Sequence, residues 1–426
     1  MDAVIWHDDG LKSFYEAGHT PSEILVYLKR RGALEFPVQQ SGLLSAISDS
    51  GVEAQTSGML HAWVRDNCHV AMALKTCGEL DVPIGIARAI IRVFSDAKGK
   101  MEAIVDGNAN PAVVANRPPA RVDALTLEPD EGWANDQNDS VGAMLKLVCE
   151  LVLGGSLRLS KEENALLDVV VDYLKAIRYW EDADSGYWEE ARKVNASSIG
   201  TVVAGLKAYV ALRIKENLKD HVESAEALIA YGMRALENIL PNEAVSPKAR
   251  RRECDAADIF LVEPLGVVSG RMALEIVERC EYALVRERGI ARYRGDSYWT
   301  KDYRKLFGLG ARTADFSENP ETRDRFAVAG AEAQWTLFDP MLAVFWLKRF
   351  RGSESEGDRE RAIWHFHRAL GQFIEVGRCL KDPEAYFLES GEWVPNDHVP
   401  LLWSEALVQL MLHEFEKSKE RIMIAS

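Results

Sequence analysis

An aromatic pair followed by two consecutive carboxylates is the feature of this sequence that most clearly indicates chemistry. Tyr187 and Trp188 precede Glu189 and Glu190, and a helical segment follows from Asn195. A tryptophan ring can cover the apolar face of a sugar, and a carboxyl group partly withdrawn from water keeps its proton closer to neutral pH. The cluster therefore predicts a proton donor held beside a sugar ring, and we assign that role to Glu189. The alternative is a pair of solvated surface carboxylates.

Hydrolysis of a glycosidic bond needs a second carboxylate besides the proton donor. Glu384, which follows Pro383 and precedes Tyr386, is our candidate for this position. The alternative is that Glu384 merely follows a proline in a turn. Because the two glutamates are far apart in the sequence, only a closed fold would bring them together.

Further clusters along the chain combine aromatic rings with hydrogen-bonding side chains, each at the edge of a helical segment. An arginine can donate to sugar hydroxyls, an aspartate can accept from them, and a ring can stack on the sugar face. The candidate substrate-binding residues are Trp63, Arg65, Asp66, Trp133, Trp188, Glu190, Arg292, Tyr293, Trp335 and Trp403. Simpler alternatives are an intrahelical ion pair for residues 61–67, a helix cap for residues 133–139 and core packing for Trp403.

The positions of the tryptophans favour carbohydrate over a pure core role. Of the eleven tryptophans, seven lie in or beside a polar cluster, whereas core residues would be scattered over apolar positions. They are Trp63, Trp133, Trp188, Trp299, Trp335, Trp393 and Trp403.

Charge narrows the choice of partners. The chain has 426 residues and a net charge of −15, which argues against nucleic acid and against an anionic membrane surface. No uncharged apolar stretch is long enough to cross a membrane, and the N-terminal residues show no signal peptide. We expect a soluble cytoplasmic protein that binds an α-glucan or oligosaccharide, and we leave a homodimer open.

Cysteine spacing and cofactor motifs give no sign of a metal or a nucleotide. The six cysteines are widely scattered without C-x-x-C spacing, which is typical of reduced thiols. The sequence contains no P-loop, no H-E-x-x-H and no G-x-S-x-G motif. We therefore expect no metal and no cofactor.

Helical periodicity dominates the sequence, and capping boxes open two segments, at residues 20–23 and 160–163. Residues 121–127 are a short exception with a strand-like pattern. Further helices are expected at about residues 61–76, 84–105, 138–153, 197–216, 219–238, 268–286, 329–349, 358–377 and 399–418. The pattern predicts an all-α toroid of helical hairpins, with residues 1–426 as a single domain. We expect residues 1–56 to form an N-terminal helical extension or the first helices of the ring. The long loop 287–328 is expected to lie over one mouth of the ring.

Five motifs in register resemble glycoside hydrolase family 15, the glucoamylases. They are W-x-R-D at Trp63, D-x-G-x-W-E at Asp184 leading into N-A-S-S, R-Y-x-x-D-x-Y at Arg292, E-x-Y with a later G-E at Glu384, and W-S at Trp403. The N-A-S-S-I-G and W-V-R-D-N segments are also similar to the glucoamylase-like domain of phosphorylase kinase α and β subunits. The resemblance covers about residues 57–415.

This resemblance implies an (α/α)6 barrel with its active site at the wide end. It implies an inverting exo-hydrolase that releases β-D-glucose from the non-reducing ends of α-glucans or α-gluco-oligosaccharides, with the linkage left open. By motif, Glu189 falls on the general acid and Glu384 on the general base. Arg65 and Asp66 fall where the family binds the terminal glucose, and Arg292 and Tyr293 fall on its substrate-binding loop.

Two other functions remain open at this point. The resemblance to the kinase subunits suggests a non-catalytic glucan-binding or regulatory module, although retention of both carboxylates favours an enzyme. A helical toroid of the terpene-cyclase kind is a third alternative, but its aspartate-rich metal motif is missing from the sequence.

Overall fold

The computed structural model of the chain describes residues 3–16, 18–47 and 60–418. Of the predicted N-terminal segment, residues 1–2, 17 and 48–56 lie outside the described residues. The helices are α1 (Asp9–Glu16), α2 (Pro21–Arg30), α3 (Val64–Thr76), α4 (Asp81–Asp96), α5 (Lys98–Val105), α6 (Asn138–Leu153), α7 (Lys161–Ala176), α8 (Ala196–Lys215), α9 (Lys219–Ile239), α10 (Asp258–Val262), α11 (Gly270–Leu284), α12 (Tyr303–Leu306), α13 (Glu321–Asp324), α14 (Phe338–Ser353), α15 (Glu356–Gly371) and α16 (Leu402–Glu416). The strands are β1 (His61–Trp63), β2 (Arg121–Asp123), β3 (Ile290–Ala291), β4 (Gln334–Trp335), β5 (Ile374–Val376), β6 (Cys379–Lys381), β7 (Ala385–Glu389) and β8 (Glu392–Pro395).

The two predicted capping boxes are confirmed. At the start of α2, the Thr20 side chain accepts from the Glu23 N–H at 3.3 Å, and the Glu23 carboxylate accepts from the Thr20 N–H at 2.8 Å. At the start of α7, Ser160 and Glu163 exchange the same two hydrogen bonds, at 3.2 and 2.7 Å. These bonds satisfy N–H groups that a helix start otherwise leaves without a partner.

In the described part of the chain, six helices form a closed inner ring. Helices α3, α6, α8, α10, α14 and α16 are buried on nearly every side, and each contacts the next, with α16 returning to α3. Helices α2, α4, α7, α9, α11 and α15 pack on the outside of the ring. They bury mainly one face, as amphipathic surface helices do. The predicted all-α (α/α)6 barrel is confirmed.

Helix α8 is long and apolar enough to cross a membrane by length and composition alone. However, 78% of its apolar window is buried inside the fold, because α8 belongs to the inner ring. A helix that is apolar all round is expected in the core of a large helical protein.

The sequence does not predict the four-stranded antiparallel sheet, whose strand order is β3–β4–β7–β8. Gln334 and Trp335 pair with β3 on one side and β7 on the other, so the predicted helix 329–349 begins only at Phe338. The predicted helix 358–377 is wrong at its end, because β5 forms a hairpin with β6. The predicted helix 84–105 starts at Asp81 and divides at Ala97. Most of these strands are too short to show an alternating pattern.

Helices α6 and α8 approach each other closely at Gly142. A Cβ atom there would lie 2.6 Å from the backbone nitrogen of Val202 and 2.7 Å from the carbonyl of Thr201. We expect Gly142→Ala to lower the free energy of unfolding by about 1–3 kcal/mol, the usual cost of extra volume in a packed core. Chemical denaturation measures this change.

The matched control is Gly99→Ala, an exposed position in α5 with no atom within 4 Å of the added Cβ. Alanine there should raise the free energy of unfolding by up to about 1 kcal/mol, because alanine favours the helix. A Gly142→Ala variant as stable as the unchanged protein would contradict the close helix approach.

Candidate active site

Residues at the N-terminal ends of the inner helices line one hollow of about 660 Å³. Because inner and outer helices alternate along the chain, the inner helices run in the same direction and their N-terminal ends gather at one mouth. Positions as distant as Trp63 and Trp403 therefore meet in this hollow.

The hollow brings together both predicted catalytic carboxylates and most of the predicted binding residues. Glu189 and Glu384 line the same space. The predicted site residues in the lining are Trp63, Arg65, Asp66, Trp133, Trp188, Glu189, Arg292, Trp335, Glu384 and Trp403. The structure does not bring Glu190 and Tyr293 into the lining.

Arg65, at the start of α3, is a buried cation in the lining of the hollow, with a side chain 5% exposed. Its Nη2 donates to Glu189 Oε1 at 2.7 Å, and its Nη1 donates to Asp139 Oδ2 at 3.2 Å. Its Nε donates to Asp66 Oδ1 at 3.1 Å. Three carboxylates on three different segments therefore share one guanidinium.

One guanidinium cannot neutralise three buried carboxylates, so the cluster favours keeping a proton. Burial raises the pKa of Asp66 to about 7, although Arg65 opposes this rise. Burial also raises the pKa of Glu189, against the charge of Arg65 and the hydrogen bonds from Arg65 and Gln137. The pKa of Asp139 is raised in the same way. The cluster can therefore supply a proton to the hollow closer to neutral pH than ordinary carboxyl groups can.

Glu189 lies in a strained turn ahead of α8. Its φ of 49° is in the left-handed region, and Gly186 in the same turn has a φ of 66°. Such a conformation costs of order 1–3 kcal/mol for a residue other than glycine and persists only where surrounding contacts hold it. Here Gln137 Nε2 donates to Gly186 O and to Glu189 Oε1, both at 3.1 Å. The turn thereby fixes the carboxyl group in the lining.

Glu384, just before β7, is held by three hydrogen bonds. Asn396 Nδ2 lies 2.6 Å from its Oε2, His398 Nδ1 lies at 2.7 Å, and the Tyr298 hydroxyl lies at 3.2 Å. Among the described residues, no donor bonds to Oε1. The carboxylate is therefore oriented through one oxygen, while the other remains to accept from a water molecule.

Aromatic rings form two walls of the hollow. Trp63 and Trp133 pack edge to face with centroids 5.6 Å apart, and the guanidinium of Arg121 lies 4.5 and 4.3 Å from their centroids. Trp188 and Trp335 form another wall, with centroids 5.7 Å apart. Such rings can cover the apolar faces of a bound sugar.

Glu190 and Tyr293 lie behind the hollow. Glu190 is 7% exposed, and it accepts from the Tyr293 hydroxyl, from Arg252 Nη2 at 3.0 Å and from Lys193 Nζ at 3.4 Å. Burial opposes ionisation, but Arg252 and Lys193 hold the pKa of Glu190 well below its ordinary value. The structure places these two residues outside the lining of the hollow, and their contact with substrate stays a prediction. Arg252, Lys193 and the Tyr293 hydroxyl enclose the Glu190 carboxylate. This enclosed group supports the residues that line the hollow.

Several lining residues were not among the predicted ones. Tyr298 lies in the predicted cluster 292–299, whose interleaved rings and arginines were a usable signal. Thr313 and Arg323 come from the loop predicted to cover one mouth, and no local pattern marks them. The lining residues missed from sequence are Ala46, Tyr187, Tyr298, Thr313, Ala314, Arg323 and Leu401.

Within residues 3–16, 18–47 and 60–418, no group of three or more His, Cys, Asp or Glu side chains is arranged to hold a metal ion. The buried His365 has carboxylate partners, Asp339 at 2.7 Å and Glu281 at 3.0 Å. It belongs to the packing between α14 and α15, away from the hollow.

Comparison with known proteins relates this chain to glycoside hydrolases. The family model "Glycosyl hydrolases family 15" matches residues 37–248. A probable phosphorylase b kinase regulatory subunit alpha from Caenorhabditis elegans is 22% identical over 410 residues. That match covers 84% of this chain but only 31% of the nematode protein. The chain thus spans about a third of that relative's length.

Several solved structures of glycosidases have a similar fold. A wild-type glycosidase superposes with a TM-score of 0.64 and 17% identity, over 98% of this chain and 100% of the other. The glucoamylase from Saccharomycopsis fibuligera gives 0.59 and 14%, over 98% of both chains. A bacterial glucoamylase complexed with acarbose gives 0.54 and 16%, over 85% of this chain and 50% of the other. The chain is therefore similar in sequence to glycosyl hydrolases of family 15 and to a phosphorylase kinase regulatory subunit, and glucoamylase-like in fold.

Proposed function

We propose that this protein is an inverting, exo-acting α-glucosidase of the glucoamylase type. It releases β-D-glucose from the non-reducing ends of α-glucans or α-gluco-oligosaccharides. The observation that supports this most strongly is that Glu189 and Glu384 line one ring-walled hollow. Glu189 belongs to a cluster that favours a proton, whereas three donors hold Glu384 as an acceptor. This asymmetry matches a general acid and a general base.

In the proposed reaction, Glu189 gives its proton to the glycosidic oxygen as the bond to the sugar carbon breaks. Glu384 takes a proton from a water molecule that attacks the same carbon from the opposite face, which inverts its configuration. The two carboxyl groups should lie roughly 6.5–9.5 Å apart to leave room for that water. Each proton transfer should contribute about 10²–10⁴-fold in rate.

Substrate position depends on the polar cluster and the rings. Arg65 and Asp66 lie in the lining, where a guanidinium can donate to sugar hydroxyls and a carboxylate can accept from them. The rings of Trp188, Trp335 and Trp403 offer faces for the apolar side of the sugar. Together they would hold the terminal glucose between the acid and the base.

A panel of glucose disaccharides and dextrins tests this function. We expect glucose to be released from at least one α-linked disaccharide, and no glucose from the β-linked cellobiose. The preferred linkage would be identified by the substrate with the largest kcat/KM. If none of the α-linked substrates releases glucose, the proposed enzymatic function is contradicted.

The similarity to a kinase regulatory subunit favours a second candidate, a non-catalytic glucan-binding module. The matched region covers 84% of this chain, but it is only 31% of the regulatory subunit. Calorimetry distinguishes the two candidates, because a sensor binds a malto-oligosaccharide and leaves it intact. Binding heat without any product after prolonged incubation would support the sensor over the enzyme.

The alkaline limb of the pH profile should report the protonation of Glu189. Hydrolysis needs this carboxyl group protonated, so the rate should fall as the pH rises through its pKa, which burial raises. The negative charge of Asp139 contributes to the same rise. We therefore expect Asp139→Asn to move the alkaline limb of kcat/KM to lower pH.

The exposed Glu131→Gln is the control for this shift and should leave the alkaline limb in place. A limb that Asp139→Asn leaves unmoved, or moves to higher pH, would speak against Glu189 as the acid.

We also infer a cytoplasmic location. All six cysteines are free thiols, as is usual in a reducing compartment. The similarity to a phosphorylase kinase subunit supports the same inference.

A further inference from the structure

Two cysteines face each other where the segment before α10 packs against α11. The Sγ atoms of Cys254 and Cys280 are 4.0 Å apart. Cys254 precedes α10 and is partly exposed, whereas Cys280, in α11, is 2% exposed. Cys254 therefore lies at the edge of a surface groove, and the buried Cys280 lies next to it on the inner side.

The surroundings of Cys254 favour its thiolate form. A hydrogen bond with the Cys280 thiol lowers the pKa of Cys254, and the charges of Arg279 and Arg294 lower it further, although burial and the negative charge of Asp255 oppose this. Both arginines line the same open groove as Cys254, together with Arg251 and Arg252. A partly exposed cysteine among cations is the usual setting of a reactive thiol, because the thiolate is the nucleophile.

We propose that Cys254 and Cys280 are a redox modification site that a hydroperoxide closes into a disulfide. The Cys254 thiol first gives its proton to solvent, and the thiolate then attacks one peroxide oxygen. An S–O bond forms as the O–O bond breaks, and the leaving alkoxide or hydroxide takes a proton from solvent, so that Cys254 becomes a sulfenic acid. The Cys280 sulfur then attacks the Cys254 sulfur, the S–O bond breaks, and water leaves with the Cys280 proton. Two electrons pass from the two thiols to the peroxide.

The pair also contacts a wall of the hollow through Asp255. Cys280 Sγ lies 3.5 Å from Asp255 O, and the Asp255 carboxylate accepts from Trp188 Nε1 at 2.7 Å. Closing the sulfurs from 4.0 Å to a bond of about 2.05 Å draws on Cys254, the direct neighbour of Asp255, and we expect it to shift the segment that carries Asp255. Disulfide formation should therefore displace Trp188 and weaken binding of a malto-oligosaccharide, a consequence that rests on the proposed function.

The test uses the full chain, reduced and then exposed to hydrogen peroxide. Remaining thiols are alkylated, and peptides are analysed by mass spectrometry without reduction. We expect a linked peptide that contains Cys254 and Cys280 and disappears after dithiothreitol. If Cys254 remains alkylatable while other cysteines become oxidised, the proposal is wrong. This readout needs neither hydrolysis nor a variant.

Variants separate the roles of the two thiols. Cys280→Ser should stop at a sulfenic acid on Cys254 that dimedone traps, and Cys254→Ser should leave Cys280 as a thiol. Cys77→Ser is the matched control, since Cys77 is partly exposed but burial raises its pKa to about 12. It should form the linked peptide as the unchanged chain does.

Calorimetry of maltotriose binding tests the coupling to Trp188. A linked peptide together with unaltered binding would overturn this coupling. No binding in either redox state would count against the proposed function instead.

Discussion

Glu189→Gln should reduce glucose release from maltose by about 10²–10⁴-fold, the usual contribution of a positioned general acid. Glutamine keeps the shape and the oxygen that accepts from Arg65 and Gln137, but it has no proton to give. The fold should survive, because the raised pKa of Glu189 means that the folded site already disfavours the charged form. Steady-state kinetics and thermal denaturation measure the two effects.

A substrate whose leaving group needs no proton isolates the acid role. α-D-Glucosyl fluoride releases fluoride without protonation of a glycosidic oxygen, so Glu189→Gln should hydrolyse it far better than maltose. The exposed Glu181→Gln is the control and should behave as the unchanged protein with both substrates. Equal losses on the fluoride and on maltose would contradict the assignment of Glu189 as acid.

Glu384→Gln should cause a loss of similar size, about 10²–10⁴-fold, with maltose and with α-D-glucosyl fluoride alike. The water needs its base whichever group leaves, and an amide cannot accept the proton. The side chain is 6% exposed and accepts hydrogen bonds from Asn396 and His398 through one oxygen, which an amide oxygen can replace. Kinetics with both substrates, together with circular dichroism, measure this result.

A small external nucleophile checks the role of Glu384 independently. Azide needs no base, so it should restore turnover of α-D-glucosyl fluoride in Glu384→Ala and yield the β-glucosyl azide. Glu392→Gln, an exposed neighbour on β8, is the control and should keep full activity. Full activity of Glu384→Gln on maltose would remove Glu384 from the mechanism.

The ring and most of its lining could be predicted from sequence because both signals are local. Inner helices are apolar all round, and many residues that line the hollow lie at or just before their N-terminal ends, so tryptophans beside polar residues indicate these ends directly. Arg65 and Trp403 are examples. A parallel inner ring then brings such ends together without further information.

Residues that depend on distant pairing could not be predicted in the same way. Arg121 lies between Trp63 and Trp133 because β2 pairs with β1, which sets Trp63 opposite Arg121. The sequence marks residues 121–127 as a strand but gives no partner for it. The course of the loop that places Thr313 in the lining is likewise set by tertiary contacts.

The two neighbouring glutamates show a second limit. Glu189 and Glu190 have the same side chain, yet one lines the hollow and the other is enclosed by cations behind it. The two side chains point to different places because Glu189 has a left-handed φ. A glycine would have indicated such a φ in the sequence, but this position is a glutamate. A sequence pattern can therefore locate the turn without stating which carboxylate it exposes.

The configuration of the first product tests the proposed two-carboxylate hydrolysis most directly. Proton NMR of α-D-glucosyl fluoride mixed with the protein resolves the anomeric signals of the released glucose before it re-equilibrates, and this substrate has no reducing-end glucose that would add its own mixture of anomers. We expect the β-glucose signal to appear first, because water attacks from the face opposite the leaving group. Initial appearance of α-glucose would contradict direct displacement between Glu189 and Glu384.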